Sequence, residues 1–441
     1  MNRRAALIFG GTAALSWAAR PALSSAPATA DTAAMLRNWY RLVLKLVRHT
    51  PTYSPPVASR SFAYLGVIAY EAVASGSDTL ISLAGQLNGL NPLPPRLPGE
   101  AYSDAMVVHA ALASGVRTFF GNTGPTGQRV LDAVEAKRRD EAAAGIAADI
   151  AARSEAYGRA VADHVFSWSQ PDGGASVENM GFPMNYELTK GPAHWVPTSL
   201  IAQQQAPLLP VWGNNRSFAM PDSKTCGLHP PPAYSKDPSS AFYKEALEVY
   251  ETVNALTEEQ EIIARFWSDD PMLSPTPPGH WVTIMLDVLE EQKADADRSA
   301  EALARMGVTL ADAFIACWHS KFEYDLLRPV TYIKRVIDPK WEALLITPPF
   351  PEYPSGHSTQ SGAAATVLTA MFGENHAFSD STHVREGLAP RPFPSFWAAA
   401  EEAGISRLYG GIHFRAAIER GLEQGRCVGS HAVALRTRSM T

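Results

Sequence analysis

The sequence predicts an all-α protein whose helices pack as bundles. Two observations carry this. Apolar residues recur near a 3.6-residue period through most of the chain after residue 30, and no run shows the strict alternation of a half-buried strand. A third feature bounds it: one long stretch, 171–237, loses all periodicity and fills with Pro, Gly, Asn, Ser and Trp. With 441 residues, 46% of them apolar and 19% charged, the chain is long enough to bury a large core in one domain or two. The formal charge of −6 excludes a general nucleic-acid binder, which needs a basic surface. A local cationic pocket is still compatible with it.

Residues 1–30 read as an export signal peptide. Arg3-Arg4 is a basic start, Ala5 to Ala19 a short apolar run, and Ala28-Thr29-Ala30 a small-residue cleavage site. An N-terminal membrane anchor is the alternative, but the run is too short for a comfortable span. No other stretch resembles a span. The paired arginines loosely fit twin-arginine export. The mature protein is therefore expected in the periplasm or secreted.

Residues 31–170 form an N-terminal helical region. Asp31 to Thr50 places Leu36, Tyr40, Leu44 and Val47 on one face. Ser59 to Ala74 is apolar on several sides. After a loop at 84–100, Tyr102 to Phe120 is helical. Asn122 to Pro125 breaks the chain before a helix to about Lys137, and Ala142 to Trp168 is a long Ala-rich helix. Residues 171–237 are either a linker or a segment wrapped over the bundle at a pocket mouth. Trp195, Leu208, Leu209, Trp212 and Phe218 are apolar anchors that a disordered linker lacks, so wrapping is the preferred reading. Residues 238–441 return to helix: 240–267, 280–291, 299–320, a short helix at 341–346, 357–372, one ending at Tyr409 and a last from about His413. Three cysteines, Cys226, Cys317 and Cys427, cannot all pair. They show no metal-binding spacing and leave room for one disulfide whose partners are open.

Three short motifs carry chemistry. Pro354-Ser355-Gly356-His357 reads as a turn opening a helix, whose free N–H groups favour an anion. Lys321 and Arg328 are seven residues apart, so on one helix ended by Pro329 both cations point the same way. In Ser406-Arg407-Leu408-Tyr409-Gly410-Gly411-Ile412-His413, the Gly pair can end one helix at Arg407 and let His413 begin the next, both facing one pocket. Any of these taken alone fits a solvated cation or a satisfied core histidine. Together, three fixed cations and backbone donors suit a tetrahedral oxyanion, and two imidazoles offer a ligand or nucleophile and an acid/base.

The ordered motifs resemble the superfamily of vanadate-dependent haloperoxidases and type-two phosphatidic acid phosphatases: Lys, six residues, Arg-Pro; then Pro-Ser-Gly-His; then Ser-Arg, five residues, His. The resemblance spans about Trp318 to Cys427. Upstream, Phe266-Trp267-Ser268-Asp269 and Pro277-Pro278-Gly279-His280-Trp281 look like its soluble, haloperoxidase-like branch. It implies a helical-bundle fold and vanadate as cofactor, with phosphate able to occupy the same site. It implies that Lys321, Arg328, Arg407, Ser355 and Gly356 hold the oxyanion, that His413 is bonded to its central atom, and that His357 is the acid/base. Lys321 would add positive charge to bound peroxide. Trp318 and Phe350 fall where chloride-oxidising members have aromatic residues, and bromide-oxidising ones often have His at the second position. Both equally fit core aromatics.

One departure stands out. Many members carry Asp four residues after the last His, to orient its other ring nitrogen; here that position is Ala417. A carbonyl or another carboxylate such as Glu419 is the expected substitute, and the loss counts against an efficient phosphatase. Asp269 or Asp270 is open either to pair with an active-site Arg or to be a surface acid. His280, His319, His376 and His383 are read as structural. The leading function is thus an exported haloperoxidase oxidising halide with hydrogen peroxide. The alternative is an acid phosphatase cleaving a phosphate ester through a phosphohistidine, and a silent oxyanion-binding protein is a third. A homodimer follows from resemblance alone.

Overall fold

A computed structural model describes residues 30–199 and 206–439. The proposed signal peptide, 1–30, lies outside them except for Ala30. Thirteen α-helices dominate the described residues. The N-terminal region supplies α1 (Thr32–Arg48), α2 (Pro55–Ala74), α3 (Asp104–Phe120), α4 (Pro125–Ala143) and α5 (Ala148–Ser169). The C-terminal region supplies α6 (Ala241–Asn254), α7 (Glu258–Phe266), α8 (Thr276–Glu291), α9 (Ala296–Tyr324), α10 (Pro329–Val336), α11 (Gly356–Phe372), α12 (Phe396–Tyr409) and α13 (Arg415–Val433). None is long and apolar enough to cross a membrane.

The 29-residue α9 is the axis, buried along almost its whole length and packed against α2, α11 and α13. Close approach there depends on glycine. A Cβ on Gly307 of α9 would collide with the Phe62 carbonyl of α2, and one on Gly425 of α13 with the backbone of α11.

Several elements differ from the sequence expectation, each for a local reason. The stretch 240–267 is two helices, because Thr257 and Gln260 form a reciprocal capping box that starts α7. The stretch 142–168 is likewise divided, by Gly145 at φ +77°, so that α4 runs on to Ala143 and α5 begins at Ala148. Residues 341–346 are not helical; the helix of that neighbourhood is α10, which opens on Pro329. The loop before Pro394 contains a small antiparallel hairpin, β1 (Phe378–Asp380) with β2 (Arg391–Phe393), too short for alternation to reveal.

The described parts of the segment, 171–199 and 206–237, bond to the helices at several points. Phe218, Ala219 and Met220 donate their N–H groups to the Asp312 carboxylate on α9 at 2.6–2.9 Å. Leu208 donates to the Pro349 carbonyl and accepts from Trp318 Nε1. Cys226 is disulfide-bonded to Cys427 on α13, leaving Cys317 free and buried. Trp195, Leu208, Leu209, Trp212 and Phe218 are all buried, as anchors should be.

Candidate functional site

Every cation proposed for the pocket is buried: Lys321 and Arg328 fully, Arg407 at 2% exposure. Lys321 and Arg328 do not share a helix. α9 ends at Tyr324, Asp325 turns the chain at φ +44°, and Arg328 is the cap that precedes α10, so Pro329 begins a helix instead of ending one. The cations still converge, because the turn is clamped from outside. Trp195 N–H donates to the Asp325 carbonyl and Leu327 N–H to the Ala193 carbonyl, each at 2.9 Å. The wrapping segment thus positions Arg328.

Lys321 Nζ donates to the carbonyls of Pro351, Glu352 and Pro354 at 2.9, 3.0 and 2.5 Å. Arg328 donates through Nε to the Phe350 carbonyl and through Nη1 to the Ile412 carbonyl, both at 2.9 Å. Arg407 donates to Ser406 Oγ and the Ala264 carbonyl. Carbonyls fix the directions of these cations but do not neutralise them. Burial accordingly pushes the Lys321 ammonium down to about 7 and each of the two guanidinium groups down to about 10.

α11 begins at Gly356, capped by Ser355 Oγ, which accepts the Ser358 N–H. A Cβ on Gly356 would meet Phe314, Trp318 and Cys317 only at 3.9–4.0 Å, so it would project into open space of the cradle. Gly410 and Gly411 break the chain between α12 and α13, with Gly411 at φ +76°, and the Arg407 charge bears on both His413 and His357.

The substitute for the missing aspartate is Glu352. Its Oε1 accepts His413 Nδ1–H at 2.9 Å and the Phe414 N–H at 2.8 Å. Arg328 Nη1 lies 3.1 Å from His413 Nε2 and can only donate, so Nε2 carries the lone pair and Nδ1 the proton. Glu419 is not involved; its carboxylate faces Arg415 at 3.9 Å. Glu352 is fully buried, and burial raises it to about 8 against the pull of Arg328. Its signal in the sequence was one acid in the otherwise apolar run Pro348–Tyr353, but composition cannot tell where a loop side chain points.

His357 and Gly356 are half-buried because they face a funnel of about 1170 Å³ that also exposes His413, Trp318 and Phe350. Burial and then the Arg407 charge hold His357 well below the usual imidazole range. Burial and then Arg328 do the same for His413. Both rings are neutral near pH 7, able to accept a proton or a metal bond.

The pocket fits a tetrahedral oxyanion. Arg328 Nη2 and His357 Nε2 are buried without hydrogen-bond partners, and among the described residues none of the three buried cations is bonded to a carboxylate: Glu352 is engaged with His413 and Asp269 with His280. An anion with several acceptor oxygens satisfies all of these at once.

Other expectations are settled by position. Asp269 is buried and bonded to His280 at 3.0 and 3.1 Å, neither a surface acid nor an arginine partner, and it bears on Arg407 and His357 only through its charge. Asp270 is exposed. His376 stacks on Phe396 and His319 lies on the surface side of α9, both structural, whereas His280 and His383 belong to a buried polar cluster.

Comparison with known proteins follows this geometry. The family described as the VCPO second helical-bundle domain matches residues 301–340 and 335–441. The vanadium chloroperoxidase of Curvularia inaequalis is 24% identical over 341 residues, 59% of this chain, and the match covers 56% of that protein's length. The crystal structure of the first bacterial vanadium-dependent iodoperoxidase is 39% identical, with a TM-score of 0.83 over 92% of this chain and 97% of that one. An apo-type bacterial vanadium-dependent chloroperoxidase, 15% identical, superposes with a TM-score of 0.67 over 88% and 94% and shares the fold.

Proposed function

The chain belongs to the vanadium-dependent haloperoxidase family, and from that premise we propose that it is an exported enzyme that oxidises halide with hydrogen peroxide at a vanadate bonded to His413. The observation that carries the reading is the direction of His413. Glu352 accepts its Nδ1–H, so Nε2 carries the lone pair and faces Arg328, with the charges of Lys321 and Arg407 also bearing on the ring.

Vanadate, when bound, supplies a Lewis-acid centre that polarises peroxide. Arg328, Arg407 and Lys321 would hold its oxygens, with the Ser355 hydroxyl and the Gly356 N–H at the helix start. Neutral His357, its Nε2 without a hydrogen-bond partner, would accept one of the protons hydrogen peroxide gives up on binding and return it to a departing oxygen. Lys321 would be held cationic by a bound anion and would favour negative charge on a bound oxygen. The funnel walls keep the reacting oxygen in an apolar setting.

Trp318 and Phe350 bear on the halide. Their rings lie 4.9 Å apart, and Lys321 Nζ sits 5.1 Å from the Phe350 centroid. The Trp318 Nε1–H is already taken by the Leu208 carbonyl, so the two rings present apolar surface, which supports a weakly discriminating halide site including chloride. Export is supported by the leader-like residues 1–30 and by the Cys226–Cys427 disulfide, a bond suited to an oxidising compartment.

A second reading has one specific support. The Glu352–His413 pair is also what a phosphohistidine enzyme needs, so Ala417 no longer counts against phosphomonoester hydrolysis. One assay separates the two. Protein freed of phosphate receives orthovanadate, hydrogen peroxide, halide and a halogen-accepting dye, or a chromogenic phosphate ester without vanadate. Vanadate-dependent halogenation is expected; ester hydrolysis inhibited by vanadate with no halogenation would replace it with the second reading.

A further inference from the structure

Behind Arg407 and His357 lies a cluster that the proposed reaction does not use. Asp269 comes from the loop between α7 and α8, His280 from the first turns of α8, and Asp380 and His383 from the hairpin between α11 and α12. All four are at most 5% exposed. His280 Nδ1 lies 3.0 and 3.1 Å from the two Asp269 oxygens, and His383 Nε2 lies 3.2 Å from Asp269 Oδ1. We propose that Asp269, His280 and His383 bind one divalent first-row transition-metal ion, zinc being the probe.

Three observations carry this. The donor atoms all fall within 4.8 Å of one another. Bonds of about 2.0 Å in a tetrahedron put donors about 3.3 Å apart, close to the spacings from Asp269 to His280 and to His383. Two imidazoles on one such ion have ring centres about 5 Å apart; the rings of His280 and His383 are 4.9 Å apart and perpendicular. The outer partner is also present: Asp380 Oδ2 accepts His280 Nε2–H at 2.7 Å, which fixes the ring and turns Nδ1 toward Asp269.

The rival reading is an ion-pair network in which His280 is an imidazolium held by two carboxylates. It leaves His383 Nε2 unsatisfied: that atom is buried and lies 3.2 Å from Asp269 Oδ1 without completing a hydrogen bond, while on the Nδ1 side Glu386 lies 3.8 Å away and is paired with Arg48. A divalent ion with two neutral imidazoles, Asp269 and Asp380 gives a net charge of zero in a site that water does not reach. With both Asp269 oxygens engaged, the three side chains offer four donor atoms. The ion would join the α7–α8 loop, α8 and the hairpin into one rigid wall.

The test is metal analysis of the full chain, purified without a histidine tag from zinc-supplemented medium. About one zinc per chain is expected, with at least a tenfold loss in Asp269→Asn and His383→Gln and none in His49→Ala, which is on the surface. Chelation should lower the melting temperature of the unsubstituted chain by about 5 °C, reversed by zinc. Folded, unsubstituted protein with under about a tenth of an equivalent, and no zinc-dependent melting shift, would overturn the proposal in favour of the ion-pair network. If the variants fail to fold, the unsubstituted chain decides alone. Vanadate loading does not enter either measurement, so failure here leaves the haloperoxidase reading untouched.

Discussion

Two buried arginines show what separates scaffold from site. Arg305, on α9, is saturated. It bonds Glu301 through Nε and Nη2 at 3.2 and 3.1 Å, and it also bonds the carbonyls of Ala432, Val433 and Leu435 and the Thr437 hydroxyl. It ties α9 to the end of α13 and the strand-like tail beyond it. Arg328 is as deeply buried but finds only two carbonyls and one imidazole nitrogen, and its Nη2 finds nothing. A buried charge with every valence filled is architecture; a buried charge with one valence open is waiting for a ligand.

The comparison can be broken by substitution. The largest effect is expected at His413→Ala, which removes the proposed vanadate bond. Vanadate-dependent halogenation should fall by at least about 1000-fold, read as kcat/KM, with the folded state retained. Next, Arg328→Ala and Arg305→Ala should separate. The first should weaken vanadate binding by about 100-fold and leave urea stability nearly unchanged, because Arg328 is hydrogen-bonded to carbonyls and an imidazole and not to a carboxylate that its loss would strand. The second should cost about 1–3 kcal/mol of stability by leaving the Ala432, Val433 and Leu435 carbonyls unpaired, while Glu301 keeps Arg298, Arg438 and Thr437, and should leave vanadate affinity within about twofold. Equal effects on both quantities in both variants would erase the distinction drawn between them.

Glu352→Gln keeps the shape of the side chain but weakens its hold on His413 Nδ1. Vanadate affinity should fall by about 10–100-fold, the usual range for a partner that orients a metal-bound histidine. Titration of Lys321 sharpens the same point. Its folded value, about 7, lies below the ordinary lysine value, so below pH 7 the empty protein carries the full cost of a buried cation. Between pH 7 and about 10.4 the folded state is neutral while the unfolded state is protonated, so stability rises with pH. Urea unfolding of the vanadate-free chain, compared with Lys321→Met, should show the unsubstituted protein gaining a few kcal/mol relative to the variant across that window. The smallest change is expected at Phe350→His, which puts a hydrogen-bonding ring on the halide wall. Chloride oxidation should drop several-fold more than bromide oxidation, as the ratio of the two kcat/KM values.

Much of the site was legible because its parts are local. The Ser355–Gly356 helix start, the Gly410-Gly411 break and the spacing from Lys321 to Arg328 each fix a short piece of backbone, and the pieces occur in one order. The reason given for the Lys321–Arg328 spacing was nevertheless wrong, since a left-handed turn at Asp325 and a clamp from residues 193–195 do what one continuous helix was expected to do. Glu352 and the Asp269–His280 pairing were illegible because both depend on loops, where side-chain direction follows no period.

What the sequence determined by itself was the helical class, the inventory of three cations and two histidines, and their shared family resemblance. These rest on periodicity and turn chemistry, which act over a few residues. Tertiary structure alone decided which carboxylate orients His413, which two of three cysteines pair, and how an irregular segment holds Arg328 in place. Each of those contacts joins residues far apart in the chain. Their geometry is set by how α2, α9, α11 and α13 pack, and no local preference of the residues themselves encodes it.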